Sequence, residues 1–252
     1  MRISRWILIS IALLVMVAPA YAQQSPFDIP LLKLENKSGN LQSLSLSLQT
    51  LILMTALTLL PSLLLVMTSF TRIIISLSIL RQALGTQQTP PNQVLVGLAL
   101  FLTLFIMMPT FKTINDTALT PYSNGQIQIE EAGKRSADAL KSFMLRQTRQ
   151  SDLMLIAELQ GDKTFDGPEA VPLTTAVPAF IISELRTAFT IGFLLFLPFL
   201  VIDIVVASVL MSLGMMMLSP TLVSLPFKLL MFVVVDGWAM TINALVESFT
   251  KV

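Results

Sequence analysis

Two aspartates lie inside strongly apolar stretches and are the first candidates for chemistry. Asp203 stands in FLVIDIVVAS and Asp236 in FVVVDGWAM. An ionisable group at membrane depth costs roughly 2.5–3.5 kcal/mol on insertion scales, so it usually faces a protein interior or water. The two acids could form a proton relay or an aspartyl catalytic pair, or each could be a polar lock between helices. We favour locks, each held by a Ser, Thr, Asn or backbone group across a helix interface.

The composition gives an enzymatic role little support. The 252 residues include no His and no Cys, which removes the commonest general base and all thiolate metal ligands. An intramembrane aspartyl protease would need Gly-x-Gly-Asp at one acid, and Val235 precedes Asp236 here. We therefore predict a protein that is not an enzyme and holds no cofactor or metal. If Asp203 is a lock, the Asp203→Asn variant keeps its hydrogen bonding and should still assemble.

Three consecutive methionines, Met215, Met216 and Met217, follow Gly214 and precede Leu218-Ser219-Pro220. A helix must break at such a turn, and unbranched thioethers presented from it can form a deformable apolar seal. Ordinary membrane packing is the alternative, since the chain has 14 Met. Four further charges are expected at interfaces, where charged side chains at segment ends are normal: Arg72, Arg81, Glu184 and Arg186.

The elements that must carry these residues are apolar helices. Apolar residues make up 54% of the chain and charged residues 12%, well below the roughly 25% charged residues of a soluble domain. Pro61 and Pro198 should kink the first and third apolar segments, and Pro109 should end the second. The polar segment of about 112–169 is predicted to be helical too. Four stretches approach the roughly 20 apolar residues that a membrane span needs: about 46–70, 91–109, 187–213 and 226–247.

The N-terminus is typical of a secretory signal peptide. Arg2 and Arg5 precede a short apolar run, and Ala20-Tyr21-Ala22 is a cleavage site that would make Gln23 the first mature residue. Cleavage would put the polar segment in the periplasm and the basic turn between the first two spans in the cytoplasm. We predict four parts: a signal peptide at 1–22, an N-terminal segment with the first helical hairpin at 23–109, a periplasmic helical segment at 110–180, and a C-terminal helical hairpin with the Met-rich loop at 181–252.

Several motifs together resemble the FliP family of type III secretion export gates. Thr190 departs from the family pattern, which usually has a charged or amide residue there. The resemblance covers nearly the whole chain after the signal peptide, and these motifs carry it: TSFTRII at 68–74, LRQALGT at 80–86, PPNQVL at 90–95, PAFIISELRTAFTIGF at 178–193, PFLVIDIVVASVLMSLGMMM at 198–217, FKLL at 227–230 and VDGW at 235–238.

The resemblance implies an all-α integral membrane protein of helical hairpins that forms a closed helical assembly of several copies, five in number. FliQ-like and FliR-like subunits would complete this gate in the bacterial inner membrane at the flagellar basal body, with FlhA and FlhB beside it. Unfolded flagellar proteins would pass through its centre, and the methionine loop would line the constriction. The subunits would also contact lipid, whereas the net charge of +1 indicates no nucleic-acid partner.

A proton-coupled transporter that uses Asp203 and Asp236 is the competing hypothesis from the residues themselves. Transporters of that kind usually contain an inverted repeat with broken helices in matching halves. The sequence contains no internal repeat that we can detect, so the export gate remains the preferred function.

We predict that the mature protein begins at Gln23, because the Ala20-Tyr21-Ala22 site follows a short apolar run with a basic flank. N-terminal mass analysis of protein extracted from membranes measures this directly. An intact Met1 in the assembled complex would contradict both the cleavage and the orientation that follows from it.

Overall fold

A computed structural model describes residues 46–86, 88–161, 165, 167–215 and 217–250. The predicted signal peptide, the cleavage site between Ala22 and Gln23, and Met216 lie outside the described residues. The chain divides into two compact units, residues 1–57 and residues 58–252. The residues that carry the candidate site all belong to the second unit.

The described residues form helices and connecting turns without a strand, which confirms the all-α prediction. In chain order the elements are α1 (Leu46–Val66), α2 (Phe70–Ala83), α3 (Asn92–Ile114), a π-helical turn (Asn115–Leu119), α4 (Thr120–Ser123), α5 (Ile129–Gln147), α6 (Gln150–Gln160), a 3-10 turn (Pro168–Ala170), α7 (Leu173–Ser212), α8 (Pro220–Val234) and α9 (Gly237–Thr250).

Within the described residues, two helical stretches are long and apolar enough to cross a membrane alone. One is α3 with its helical continuation to Ser123, and the other is the 40-residue helix α7. The pairs α1–α2 and α8–α9 meet the same criterion only together, and they bend by 70° and 65° at their breaks. Of the four predicted apolar segments, two correspond to continuous helices in the structure and two to helix pairs that are broken by a bend.

Several predicted boundaries are wrong. Helix α2 occupies the segment that the sequence analysis assigned to a turn between the first two spans. Helix α3 continues through Pro109 to Ile114, because neighbouring helices in a bundle can accommodate the one hydrogen bond that a proline removes. Helix α7 begins at Leu173, well before residue 187, since the charged residues near its start have partners and do not interrupt it.

Two apolar clusters join the helices of the second unit. The larger one brings together side chains from α2, α3, α5, α7 and α9, and the smaller one joins the C-terminal end of α2 to α7 and α8. The larger cluster consists of Ile73, Leu77, Leu95, Ala99, Met107, Phe143, Met144, Phe180, Leu245 and Phe249. The smaller cluster consists of Leu80, Ala83, Leu84, Phe199 and Phe232.

The polar segment is helical, as predicted. Phe143, Met144 and Gln147 are buried on α5. Acidic residues occupy the first turn of α5 and Arg146 its last turn, which matches the helix dipole. Helix α6 ends at Gly161, whose φ of 88° is the left-handed conformation that commonly terminates helices.

Large apolar side chains remain exposed along α3, α7 and α8. Phe105 is 66% exposed, Phe193 61% and Val233 74%. A soluble monomer rarely exposes contiguous apolar surface on this scale, so these faces need lipid or other protein subunits to cover them. This exposure, with the apolar helices, supports the assignment to an all-α membrane protein.

Helices α2 and α7 approach closely at Gly192. A Cβ atom placed there would lie 2.4 Å from Cδ1 and 2.9 Å from Cγ2 of Ile79, much closer than atoms pack. The glycine therefore sets the distance between the two helices that carry most of the charged candidates. Gly97 on α3, in contrast, has open space where its Cβ would be.

We predict that Gly192→Ala lowers the free energy of unfolding by about 1–3 kcal/mol, the usual effect of overpacking. In an Ile79→Ala background the same substitution should cost clearly less, because the colliding atoms are gone. Gly97→Ala is the matched control and should be neutral or slightly stabilising. Thermal unfolding of the detergent-solubilised protein measures all four. Equal effects of Gly192→Ala in both backgrounds would contradict the close approach.

Candidate functional site

The methionine loop is the exposed tip of the hairpin that α7 and α8 form. Helix α7 ends at Ser212, Gly214 has a φ of 71°, and Pro220 begins α8. Met217 is 101% exposed and Met215 46%. These two side chains therefore do not fill a core of their own subunit, and they are available for contact with other chains. Met216 is not among the described residues, so its position stays a prediction.

Below this tip, Asp203 bridges α7 and α8. Its Oδ2 atom accepts a hydrogen bond from Lys228 Nζ at 2.6 Å, and its Oδ1 accepts one from the Ser224 hydroxyl at 2.5 Å. Lys228 also donates to the Ala83 carbonyl oxygen at 3.2 Å, at the end of α2. The side chain of Lys228 is 5% exposed and that of Asp203 24%. A buried ion pair thus joins three helices at the base of the hairpin.

This geometry changes the expectation for Asp203. Ser224 is a partner of the predicted kind, but the sequence analysis did not anticipate the ammonium of Lys228. A buried ammonium that loses its anion is costly, because removing one partner of a buried pair leaves an uncompensated charge. The earlier expectation that Asp203→Asn assembles normally therefore has to be revised.

Asp236 lies at the corner between α8 and α9. It differs from Asp203 in its backbone conformation, its exposure and its lack of partners among the described residues. It has a φ of 50°, the only positive φ of a non-glycine residue among those described. It is exposed, and its carboxylate makes no hydrogen bond or ion pair with any described residue. The next residue, Gly237, lies against the Phe232 ring, where a Cβ atom would come within 2.2 Å. The corner is thus closely packed behind an unpaired carboxylate.

Arg72 and Glu184 form a second buried pair, although both were expected at interfaces. The side chain of Arg72 is 2% exposed and that of Glu184 is fully buried. Glu184 receives two hydrogen bonds from the guanidinium, one of them 2.9 Å long from Nε. Arg72 also donates to Ser248 at 3.0 Å and to Gln147 at 3.2 Å, and it stacks on the Phe249 ring at 3.7 Å.

The two other predicted interface charges have looser surroundings. Arg186, whose side chain is 49% exposed, pairs with the buried Asp152 of α6 at 3.1 Å. Arg81 is half-buried and makes one hydrogen bond, from Nη1 to the Pro90 carbonyl oxygen at 3.3 Å. Thr190, the departure from the family pattern, is exposed and bonds to the Arg186 carbonyl of its own helix.

The structure does not bring the candidates together into one site. Asp203, the Arg72–Glu184 pair and Asp236 occupy separate places, and the described residues contain no group of three carboxylates that could hold a metal. Sequence reasoning missed Lys228 as the partner of Asp203 and Asp152 as the partner of Arg186. One signal was present for the first pair, because Lys228 is a lone cation in an apolar segment and such a residue needs an anion nearby.

We predict that Asp203→Asn lowers the free energy of unfolding by about 3 kcal/mol, the low end of the range for breaking a buried pair, because Asp203 is partly exposed. The double variant Asp203→Asn with Lys228→Met should lose less than the single variant, since no uncompensated charge remains. Denaturation of the purified protein in detergent measures both. A single variant as stable as the unmodified chain would restore the simpler view of Asp203 as a hydrogen-bonded lock.

Comparison with known proteins identifies the chain's relatives. A sequence model of the FliP family matches residues 53–245. The chain is 62% identical over 204 residues to flagellar biosynthetic protein FliP of Cereibacter sphaeroides, which covers 81% of this chain and 68% of the relative. It is 58% identical to the protein of that name from Pectobacterium carotovorum subsp. carotovorum (82% and 81% covered) and 53% identical to that from Bacillus subtilis (strain 168) (84% and 96% covered). The family model and these relatives show that this chain belongs to the FliP family.

Proposed function

We propose that this chain is a core subunit of the flagellar type III protein-export gate. Several copies, five by family resemblance, would surround a channel together with FliQ-like and FliR-like subunits in the inner membrane at the flagellar basal body. FlhA and FlhB would be further partners, and unfolded flagellar proteins would be the transported substrates. The segment 110–180 would lie on the periplasmic side.

The observation that carries the proposal is the exposed methionine tip in a chain of this family. Met217 is fully exposed and Met215 nearly half exposed at the tip of the hairpin, and they share this exposure with apolar side chains along α3, α7 and α8. If the methionines served only to pack the hairpin, their side chains would contact their own subunit. Their exposure favours a role in which several subunits bring them together.

A ring of methionines suits a gate for unfolded chains on physical grounds. Thioether side chains are apolar, so a narrow ring of them excludes water and ions by dewetting. They are also unbranched and have three rotatable bonds, so they can rearrange around side chains of different shape. Branched or aromatic residues would close the opening as well but would yield less readily.

The same arrangement accounts for the placement of the charges. The ion pair of Asp203 and Lys228 lies at the base of the hairpin, away from the tip that would meet the substrate. A charge at the constriction would hydrate it, whereas a buried pair at the base fixes the hairpin without wetting the opening. Assembly in several copies would also cover the exposed apolar faces of α7 and α8.

We predict that replacing Met215, Met216 and Met217 by Gly leaves the complex assembled but makes resting cells leak ions, since the seal loses its apolar side chains. Replacing the same three residues by Leu is the matched control. It keeps apolar volume at the tip, so the gate should stay closed at rest. Ion conductance across the membrane is the measurement, with native gels to check assembly.

Two results would separate this proposal from simple packing. If the Gly variant assembles and its conductance equals that of the unmodified protein, the methionines only pack and the constriction lies elsewhere. If the Gly variant does not assemble, the conductance of variants with a single Met→Gly replacement decides. One replacement per subunit removes part of the apolar seal and leaves the loop in place.

A further inference from the structure

A cavity of about 310 Å³ lies between α3, α5 and α9. Most of its wall is apolar and consists of Phe105, Ile106, Pro109, Phe143, Val246 and Phe249. Phe105 is also part of the outer surface, because it is 66% exposed, and the cavity therefore continues into the exposed apolar face of α3. No residue that lines the cavity is acidic. An occupant of this cavity therefore has to be apolar along part of its length.

One buried hydroxyl in the wall of the cavity makes no hydrogen bond. Thr110 is 6% exposed, and its hydroxyl has no partner among the described residues. The other threonines of α3, Thr103 and Thr113, each donate to the carbonyl oxygen four residues earlier, at 2.7 and 3.1 Å. Gln147 and Thr250, which also line the cavity, have hydrogen-bond partners. Because a buried polar group without a partner is costly, the hydroxyl of Thr110 indicates an occupant that can accept a hydrogen bond.

A guanidinium without a carboxylate partner borders the same cavity. Arg146 is exposed and makes one hydrogen bond among the described residues, from Nη1 to the Ser142 hydroxyl at 3.4 Å. Most of its N–H groups therefore have no acceptor in that part of the chain. Arg146 also borders a larger groove that contains Asp138 and Glu169, yet it forms an ion pair with neither. The helix dipole favours a cation in the last turn of α5, but it does not require a cavity beside it.

The cavity lies at the level where the apolar part of α3 ends. No charged residue occurs from Gln82 to Phe111, and Lys112 follows near the end of the helix. Thr110 and Arg146 are therefore close to the point at which α3 leaves the hydrocarbon region. Lipid headgroups occupy this level of a bilayer. A long basic side chain can keep its stem on apolar surface there while its charged end binds a phosphate group.

We propose that this cavity binds one anionic phospholipid. The phosphate group accepts hydrogen bonds from the guanidinium of Arg146 and the hydroxyl of Thr110, and an acyl chain lies along Phe105 and Ile106 toward the centre of the bilayer. The absence of an acid from the wall favours a headgroup with a net negative charge, since the cation of a zwitterionic headgroup would find no carboxylate. The inference requires the chain to lie in a membrane, and it does not depend on assembly in several copies.

Binding is measured on the purified full-length chain in a mild detergent. Dioleoylphosphatidylglycerol or dioleoylphosphatidylcholine is added in increasing amounts, and native mass spectrometry counts the lipids that stay bound. We expect one phosphatidylglycerol to bind about tenfold more tightly than phosphatidylcholine, because only its headgroup matches the unpaired cation. Glycerol phosphate has the phosphate group without acyl chains, and at the same concentration it should not displace the lipid.

Three variants locate the site. Arg146→Gln should weaken binding of the first phosphatidylglycerol about tenfold, since a charged donor to the phosphate is lost. Thr110→Val keeps the shape of the side chain without its hydroxyl and should weaken binding by a smaller factor. Lys112→Gln is the matched control, because it removes the same charge about 200° around α3 from Thr110 and Lys112 does not line the cavity. This control should bind the lipid as tightly as the unmodified chain.

The folded state of the variants is checked by thermal unfolding without added lipid. Arg146 is exposed, so Arg146→Gln should unfold at the same temperature as the unmodified chain. Added phosphatidylglycerol should raise the unfolding temperature of the unmodified chain more than that of the variant. If Arg146→Gln is itself less stable, Thr110→Val decides, and unchanged lipid binding by that variant would overturn the inference.

Several other results would contradict the lipid site. Equal losses in Arg146→Gln and Lys112→Gln would show general attraction of the lipid to positive charge. Equal binding of the two lipids would show an apolar groove without headgroup recognition, and displacement by glycerol phosphate would identify a site for free phosphate. Absence of phosphatidylglycerol from a purified multi-subunit complex would assign the cavity to contact with another protein subunit.

Discussion

One buried guanidinium determines how the helices of this chain can pack. Arg72 donates its hydrogen bonds to Glu184 on α7, Gln147 on α5 and Ser248 on α9. An unpaired charge in the interior costs several kcal/mol, so packing is favoured only where these acceptors converge. The Phe249 ring covers the face of the guanidinium at 3.7 Å. The arrangement of α2, α5, α7 and α9, and with it the position of the α7–α8 hairpin, depends on this single residue.

The sequence predicted the features that depend on local patterns and missed those that depend on contacts between distant residues. The apolar segments, the helical polar segment and the break at the methionine loop follow from composition, periodicity and Gly/Pro positions, and they were predicted. Helix α2 was missed because Arg72 looked like a loop charge. Its partner Glu184 is 112 residues away, and no local pattern shows such a pairing. The corner at Asp236 was missed although the Asp236-Gly237 dipeptide is typical of turns, because the apolar run continues on both sides of it.

The paired charges also bear on the transporter hypothesis. A carboxylate that relays protons must lose and regain its charge while the protein works. Protonation of Asp203 would leave the buried ammonium of Lys228 without its anion, and Glu184 stands in the same relation to Arg72. Each cycle would therefore carry the cost of an uncompensated charge. Such pairs are better suited to fix helices in an assembly than to carry protons, which favours the gate.

The α7–α8 hairpin has a base that is fixed by polar contacts and a tip of flexible apolar side chains. Its base is held by the pair of Asp203 and Lys228, whereas Leu213, Met215 and Met217 at its tip are exposed apolar side chains. About three helical turns lie between Asp203 and the tip. A closure that admits chains of varied shape has to change its own shape while the fold that carries it stays the same. That requirement is met only if the polar contacts that define the fold lie outside the constriction, and in this hairpin the pair of Asp203 and Lys228 lies away from the tip proposed to form it.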